Sequence, residues 1–461
     1  CLDFGTAMSK AFATRQSNQH LDLELGVASG GRGYAVPSSV FIADEGKVYF
    51  GFEAIEKSRD LERSDRQRLD SIKGWFNLSS DGVEGVEVRV LDPKMNPTAP
   101  RLTEGDLLRL YLAFLTDVAE SALESRGVAP PRLVRRRFAR PCWKPDVAKS
   151  AEGLMRRMLA DAQILADTFR GRWQGGIPVE ELKSAVDQVK ALPRRPDHLI
   201  GEGVLEPVAV AGGLFEDSEN TRDAFMVVDA GAGTTDFGLF ISTQRRDTFE
   251  TCIHQVGDSV RGLMAAGDKV DSLLRGFIAQ RESIDPDDNT GKMILADLGR
   301  RIRSLKEALF SNGRLQYVLV DGTSGEITLD EFLSTDGVKR FSATLEAEFK
   351  KSLEAVDESW LRWLSMSGVH LNVVLTGGSS KLPMMRSLAQ GVIEVKGYRI
   401  LRRPVDAMPS WIDDMPKEFE VAYPQLAVAI GGAADDIPDT VMAPAVFAGG
   451  ARPAVQTWAV N

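Results

Sequence analysis

Asp229-Ala230-Gly231-Ala232-Gly233-Thr234-Thr235-Asp236 is the stretch that decides the fold. Phe225-Met226-Val227-Val228 precedes it and Phe237-Gly238-Leu239-Phe240-Ile241 follows, so a glycine-rich turn joins two apolar, strand-like runs, the grammar of a buried hairpin. Glycines let such a turn bring its backbone against a phosphate. Bare N–H groups and Thr hydroxyls donate to the phosphate oxygens, and carboxylates hold a magnesium ion through water. A second turn of this kind opens the chain: Asp3-Phe4-Gly5-Thr6-Ala7, again between short apolar runs and about half a chain length earlier. One such turn is more often an ordinary hairpin than a site. A pair is different, because a di- or triphosphate needs donors from both sides.

A third element follows at Val373-Val374-Leu375-Thr376-Gly377-Gly378-Ser379-Ser380-Lys381-Leu382-Pro383, a strand running into two glycines, a polar cap and a helix. Close backbone approach at Gly377-Gly378 suits a flat ring or a ribose. Between these markers the apolar spacing predicts long helices at 103–125, opened by a Thr-x-x-Asp cap, and at 145–169. Further helices are expected over 179–192, 329–365 and 423–434, and a small β-rich patch over 315–327. The stretch 170–196, rich in Gly, Pro and charge, reads as an insertion, and 437–461 as an extended or docking tail.

Composition narrows the partners. The 461 residues are 43% hydrophobic and 26% charged, as in an ordinary globular protein, and the net charge of -10 repels nucleic acid and anionic bilayers. The basic run Arg132 to Arg140 reads as a surface strand edge or docking rim. Three cysteines, Cys1, Cys142 and Cys252, fit no metal spacing and suit a reducing cytoplasm. No stretch has the ~18 apolar residues of a membrane helix, and no secretory pattern opens the chain. Because the first turn begins at Asp3 and should follow a buried strand, a few residues are expected upstream of Cys1.

Taken together, the two turns and the Gly-Gly-Ser element resemble the actin, heat-shock 70 and sugar-kinase superfamily, most closely the nucleotide-binding domain of heat-shock 70 chaperones. That resemblance implies an α/β, actin-like ATPase fold of two lobes, each with a ribonuclease H-like mixed sheet flanked by helices. Lobe I would cover 1–222, with a small subdomain at about 37–99, and lobe II 223–436, with another at about 263–329. It implies phosphate roles for Gly5, Thr6, Ala7, Gly231, Gly233, Thr234 and Thr235, and places Asp3, Asp229 and Asp236 around Mg2+ and the attacking water. Ile72-Lys73 resembles the family's catalytic lysine segment, and Leu205-Glu206-Pro207-Val208-Ala209 its strand-to-helix turn, so Lys73, Glu206, Asp229 and Thr234 are the implied catalytic set. The nucleoside falls to Gly377, Gly378, Ser379, Lys381, Lys306 and Glu307, although Ile302 to Leu309 reads equally well as a surface helix face.

The function implied is slow ATP hydrolysis driving a switch between ATP and ADP states that acts on a protein partner. No histidine stands in the motifs: His20, His198, His254 and His370 all lie elsewhere. Only a short tail follows the last helix, so the family's peptide-binding domain is not expected here. An actin-like filament former and, less well matched, a small-molecule kinase are the alternative readings. Nucleotide-dependent sedimentation would mark the first, and a carboxylate base beside a substrate pocket the second.

Overall fold

The structure is a computed structural model, and it describes residues 1–15, 19–59, 66–76, 83–214, 223–244, 251–406 and 408–441. Two mixed sheets organise the chain. In the first, the strands lie in the order Gln19–Asp22, Met8–Arg15, Leu2–Asp3, Arg136–Arg140 and Ile200–Leu205, with Ala35–Pro37 also pairing to Met8–Arg15. Its first three strands are antiparallel neighbours and the last two joins are parallel. The second sheet repeats that order and those senses with Thr251–Val256, Thr235–Gln244, Ala224–Ala230, Leu371–Thr376 and Tyr398–Pro404. Gly391–Val395, Arg261–Leu263 and Asp439–Val441 extend it.

Parallel joins need crossover segments, and the helices supply them. Helix Glu104–Ser125 links the first pair and Pro145–Thr168 the next. The former starts where the cap predicts: Thr103 Oγ1 accepts from the Asp106 N–H at 3.1 Å, and the Asp106 carboxylate accepts from the Thr103 N–H at 3.1 Å. Leu107, Leu108, Tyr111, Leu112 and Leu115 on it are buried, each contributing roughly 1.5–3 kcal/mol. In both halves a helix follows the fifth strand: Glu206–Leu214 and Lys417–Gly432. These two cross backbone to backbone, since a Cβ on Gly431 would lie 1.7 Å from the Ala209 carbonyl oxygen.

Three expectations change. The helix expected over 329–365 is three: Leu329–Leu333, Asp336–Glu354 and Glu358–Leu364. Thr335 and Asp357 cap the second and third, accepting from the Val338 and Ser359 N–H groups, and so break an apolar period that runs through them. The last helix starts at Lys417 and keeps Pro424 inside it. The basic run is no surface edge: Arg136–Arg140 lies inside the first sheet, and buried Arg136 donates to Glu120 and Gln163.

The 170–196 stretch is folded into the first half. Strand Ile177–Pro178 pairs with Lys47–Phe50, and Trp173, Val179, Leu182, Val186 and Val189 are buried. Its Lys190 and Arg195 reach Asp106 and Asp161, whose side chains are 1% exposed. Of the tail, 442–461 lies outside the described residues. Among the described residues no helix is long and apolar enough to cross a membrane.

Candidate active site

The two glycine turns meet. A Cβ on Gly233 would stand 2.7 Å from Thr6 Oγ1, so the turns face each other with no room for a side chain between them. Each turn is also tight in itself. A Cβ on Gly5 would lie 2.1 Å from the Met8 carbonyl oxygen, and the Gly231 N–H donates to the Thr234 carbonyl at 3.0 Å. The Ala7 carbonyl accepts from the Ser38 N–H at 2.9 Å, and Ser38 Oγ donates to the Gly5 carbonyl at 2.6 Å. Thr234 is buried in the second turn, while the Thr235 hydroxyl donates to the Ala265 carbonyl at 2.8 Å.

Four carboxylates and two ammonium groups gather around these turns. Lys73 Nζ pairs with Glu206 Oε1 at 2.5 Å, joining the short helix Ile72–Phe76 to the start of Glu206–Leu214, and both side chains are under a tenth exposed. Burial disfavours the Lys73 ammonium, but Glu206 and Asp3 outweigh it and hold the pKa above its ordinary value. Burial, with Asp236, Asp229 and Asp3 adding to it against the pull of Lys73, pushes Glu206 up to about 8. Asp229, buried and facing Asp236 and Asp3, is pushed up to about 6. Burial also raises Asp236, although the Cys142 N–H donates to its Oδ1 at 2.8 Å. The common cause is burial, to which neighbouring carboxylates add at Glu206 and Asp229.

Lys10 was not legible as a site residue. Its Nζ sits 3.0 Å from Asp3 Oδ2, giving the first turn a lysine of its own. Thr376, at the end of the strand Leu371–Thr376, donates to Asp229 Oδ1 at 3.0 Å. The strand period alone could have found Lys10, which lies opposite Asp3 in the hairpin register.

The Gly-Gly-Ser element lies against the second turn. Gly377 has φ +83°, and a Cβ there would stand 2.3 Å from the Ala230 carbonyl oxygen and 2.8 Å from Asp229 Oδ1, so only glycine fits. Gly378 borders open space, and Ser379 donates through Oγ to the Gly231 carbonyl at 2.7 Å. Lys306 pairs with Asp271 at 2.9 Å and donates to the Gly267 carbonyl at 3.2 Å, beside Ser379. Glu307 lines a cleft of about 920 Å³ that also takes Ser39, Arg68 and Ser71 from the first half and Asp268 and Arg303 from the second. Lys381 is exposed, and among the described residues no ion pair joins it to this cluster.

Mg2+ fits this chemistry. Asp236 Oδ2 is buried without a hydrogen-bond partner among the described residues, and the donors are all carboxylate oxygens. No group of three or more His, Cys, Asp or Glu side chains among the described residues could hold an ion alone. Magnesium keeps several waters and takes phosphate oxygens as ligands, so it does not need a complete protein cage.

No family model matches the sequence. The chain is 28% identical over 246 residues to a chaperone protein HscA homolog of Shewanella amazonensis, an alignment covering 52% of this chain and 36% of that protein. The chain thus spans well under half the length of this curated relative, and it is a distant homologue of a heat-shock 70-type chaperone.

Proposed function

We propose that the chain is a Mg-ATP-binding, slowly hydrolysing nucleotide switch of the heat-shock 70 type, working in the cytoplasm on a protein partner. The observation that carries this is the approach of Gly233 to Thr6, which brings the two glycine turns face to face. In this reading the two sheets are the cores of two lobes with the actin-like ATPase fold, and the crossing of Glu206–Leu214 with Lys417–Gly432 is their joint. The distant HscA relationship supports the same reading.

Amides of the two turns and the Thr6 and Thr234 hydroxyls hold the phosphates, while the Lys73 ammonium faces the γ-phosphoryl group. Bound Mg2+ would neutralise phosphate charge, with Asp3, Asp229 and Asp236 as its partners through water. A water attacks the γ-phosphorus in line, its new P–O bond forming as the bond to the β-phosphate oxygen breaks, and its proton passes to a carboxylate of the Asp229 and Glu206 pair. Glu206 holds Lys73 in place, so the ammonium meets charge as it develops on the transferring group. Gly377, Gly378 and Ser379 would back the nucleoside, with Lys306 and Glu307 across from them.

Calorimetry with Mg-ATP and Mg-ADP, alongside hydrolysis by wild type and Thr234→Ala, tests this. Binding heat with ATP and weaker binding by Thr234→Ala are expected. No heat with either nucleotide ends the proposal, and phosphate transfer to a small molecule in place of water would make the chain a kinase.

A further inference from the structure

Besides the Lys73–Glu206 pair, the segment carrying Lys73 is tied to the opposite half of the chain. Ser71, two residues before it, is a non-glycine residue with φ 58°, in the left-handed region. Its carbonyl accepts from the Gly74 N–H at 2.9 Å, which starts the short helix carrying Lys73. Its hydroxyl donates to Asp268 Oδ2 at 2.7 Å. Asp268 is itself fixed to the second glycine turn, because its N–H donates to the Ala232 carbonyl at 2.7 Å and the preceding Gly267 N–H donates to the Gly231 carbonyl at 3.3 Å.

The path from the second turn to the lysine is therefore short: Ala232, Asp268, Ser71, then the helix of Lys73. A second bracket runs beside it. Arg68 Nη2 donates to the Arg300 carbonyl at 3.2 Å and Arg300 Nη1 returns a bond to the Arg66 carbonyl at 3.2 Å, while Arg303 lies 3.5 Å from Asp268 Oδ1. Both brackets span the 920 Å³ cleft between the halves. Left-handed backbone is unfavourable at a serine, so the tie to Asp268 holds a conformation that the residue does not adopt readily by itself.

We propose that Asp268 and Ser71 are positioning residues for hydrolysis: their bond ties the second turn's position to the helix of Lys73, so that the ammonium is held in place while the halves stay joined there. This rests on the ATPase reading. It makes the two residues unlike the phosphate ligands, since neither needs to touch ATP. Breaking the bond leaves the turns intact and loosens the lysine.

Four full-length variants test it: Ser71→Gly, which keeps the backbone free to adopt its angle and removes the hydroxyl; Asp268→Ala; the two combined; and Ser71→Asn, which tolerates the left-handed region and restores an N–H donor. Single-turnover hydrolysis should fall about tenfold in each single variant and no further in the double, with ADP affinity within about threefold of wild type, and Ser71→Asn should recover most of the rate. Without nucleotide, amide exchange across 72–76 should quicken in Ser71→Gly and Asp268→Ala alike. A wild type that hydrolyses ATP beside variants of unchanged rate, or a double variant whose losses multiply, overturns the link alone. A wild type that neither binds nor hydrolyses ATP overturns the ATPase reading and the catalytic role together, even where the exchange result stands.

Discussion

The two glycine turns do comparable work by different means. The first is held from outside by side chains: Ser38 donates to the Gly5 carbonyl, Ser9 and Ser38 hydroxyls lie 2.9 Å apart, Tyr111 donates to Ser9 and to the Pro37 carbonyl at 3.0 Å, and Lys10 pairs with Asp3. The second is held mainly by backbone: Gly231 to Thr234, Ser379 N–H to the Ala230 carbonyl at 2.9 Å, and Asp268 N–H to Ala232. Hydroxyl networks yield one bond at a time. Backbone packed on backbone has nothing to rotate away, so the second turn is the rigid reference and the first is the side that can be tuned.

The sharpest way to break this contrast is Gly377→Ala. Its methyl would press on the Ala230 and Asp229 backbone and side chain while the backbone stays at a positive φ, and a loss of about 3 kcal/mol or more is expected in denaturant melts. A variant melting like wild type would show that the second turn yields after all. Lys73→Ala comes next: hydrolysis should drop by about 10²-fold while ADP binding persists, because the lysine acts on charge that develops in the transition state.

Asp229 sharpens the contrast through pH. Its folded pKa of about 6 lies above the ordinary carboxylate value, so the folded state binds the extra proton, and the stability tied to that proton is lost as pH rises through about 6. Asp229→Asn, whose amide oxygen can still accept from Thr376, should therefore melt higher than wild type near pH 7.5 in nucleotide-free protein. The difference should shrink toward pH 4. A gap that widens on acidification contradicts a carboxylate whose charged form is disfavoured by burial and by Asp236 and Asp3. Smallest of all, Ser38→Ala should cost about 1–2 kcal/mol in the melt and weaken nucleotide binding modestly, since Tyr111 keeps its bonds to Ser9 and the Pro37 carbonyl.

Local chemistry was readable in the sequence where it was self-contained. The hairpin of Asp229 and Asp236 pairs those two residues directly in register, and the Thr103 cap sits where its Asp predicts. What escaped was settled by partners distant in the chain. Arg136 looked exposed because Glu120 and Gln163, which accept from its Nη2, stand on two different helices. The stretch read as an insertion, 170–196, gave no sign of its seat, because Asp106 and Asp161, which take up its cations, come earlier in the chain. The helix over 329–365 was overextended because apolar spacing continues across Thr335 and Asp357, and capping overrules it. In the site, Lys73 and Glu206 were proposed from motif resemblance, whereas Ser71 and Asp268 had no motif to reveal them.

The crossing of Glu206–Leu214 with Lys417–Gly432 has a mechanical consequence. With no side chains interposed at Ala209, Gly213 and Gly431, the helices bear on one another like scissor blades at a rivet, free to roll yet unable to part or slide without losing contact. In the proposed two-lobe reading, a small turn at that point would sweep the far rims widely, and a partner gripping those rims would feel the largest travel.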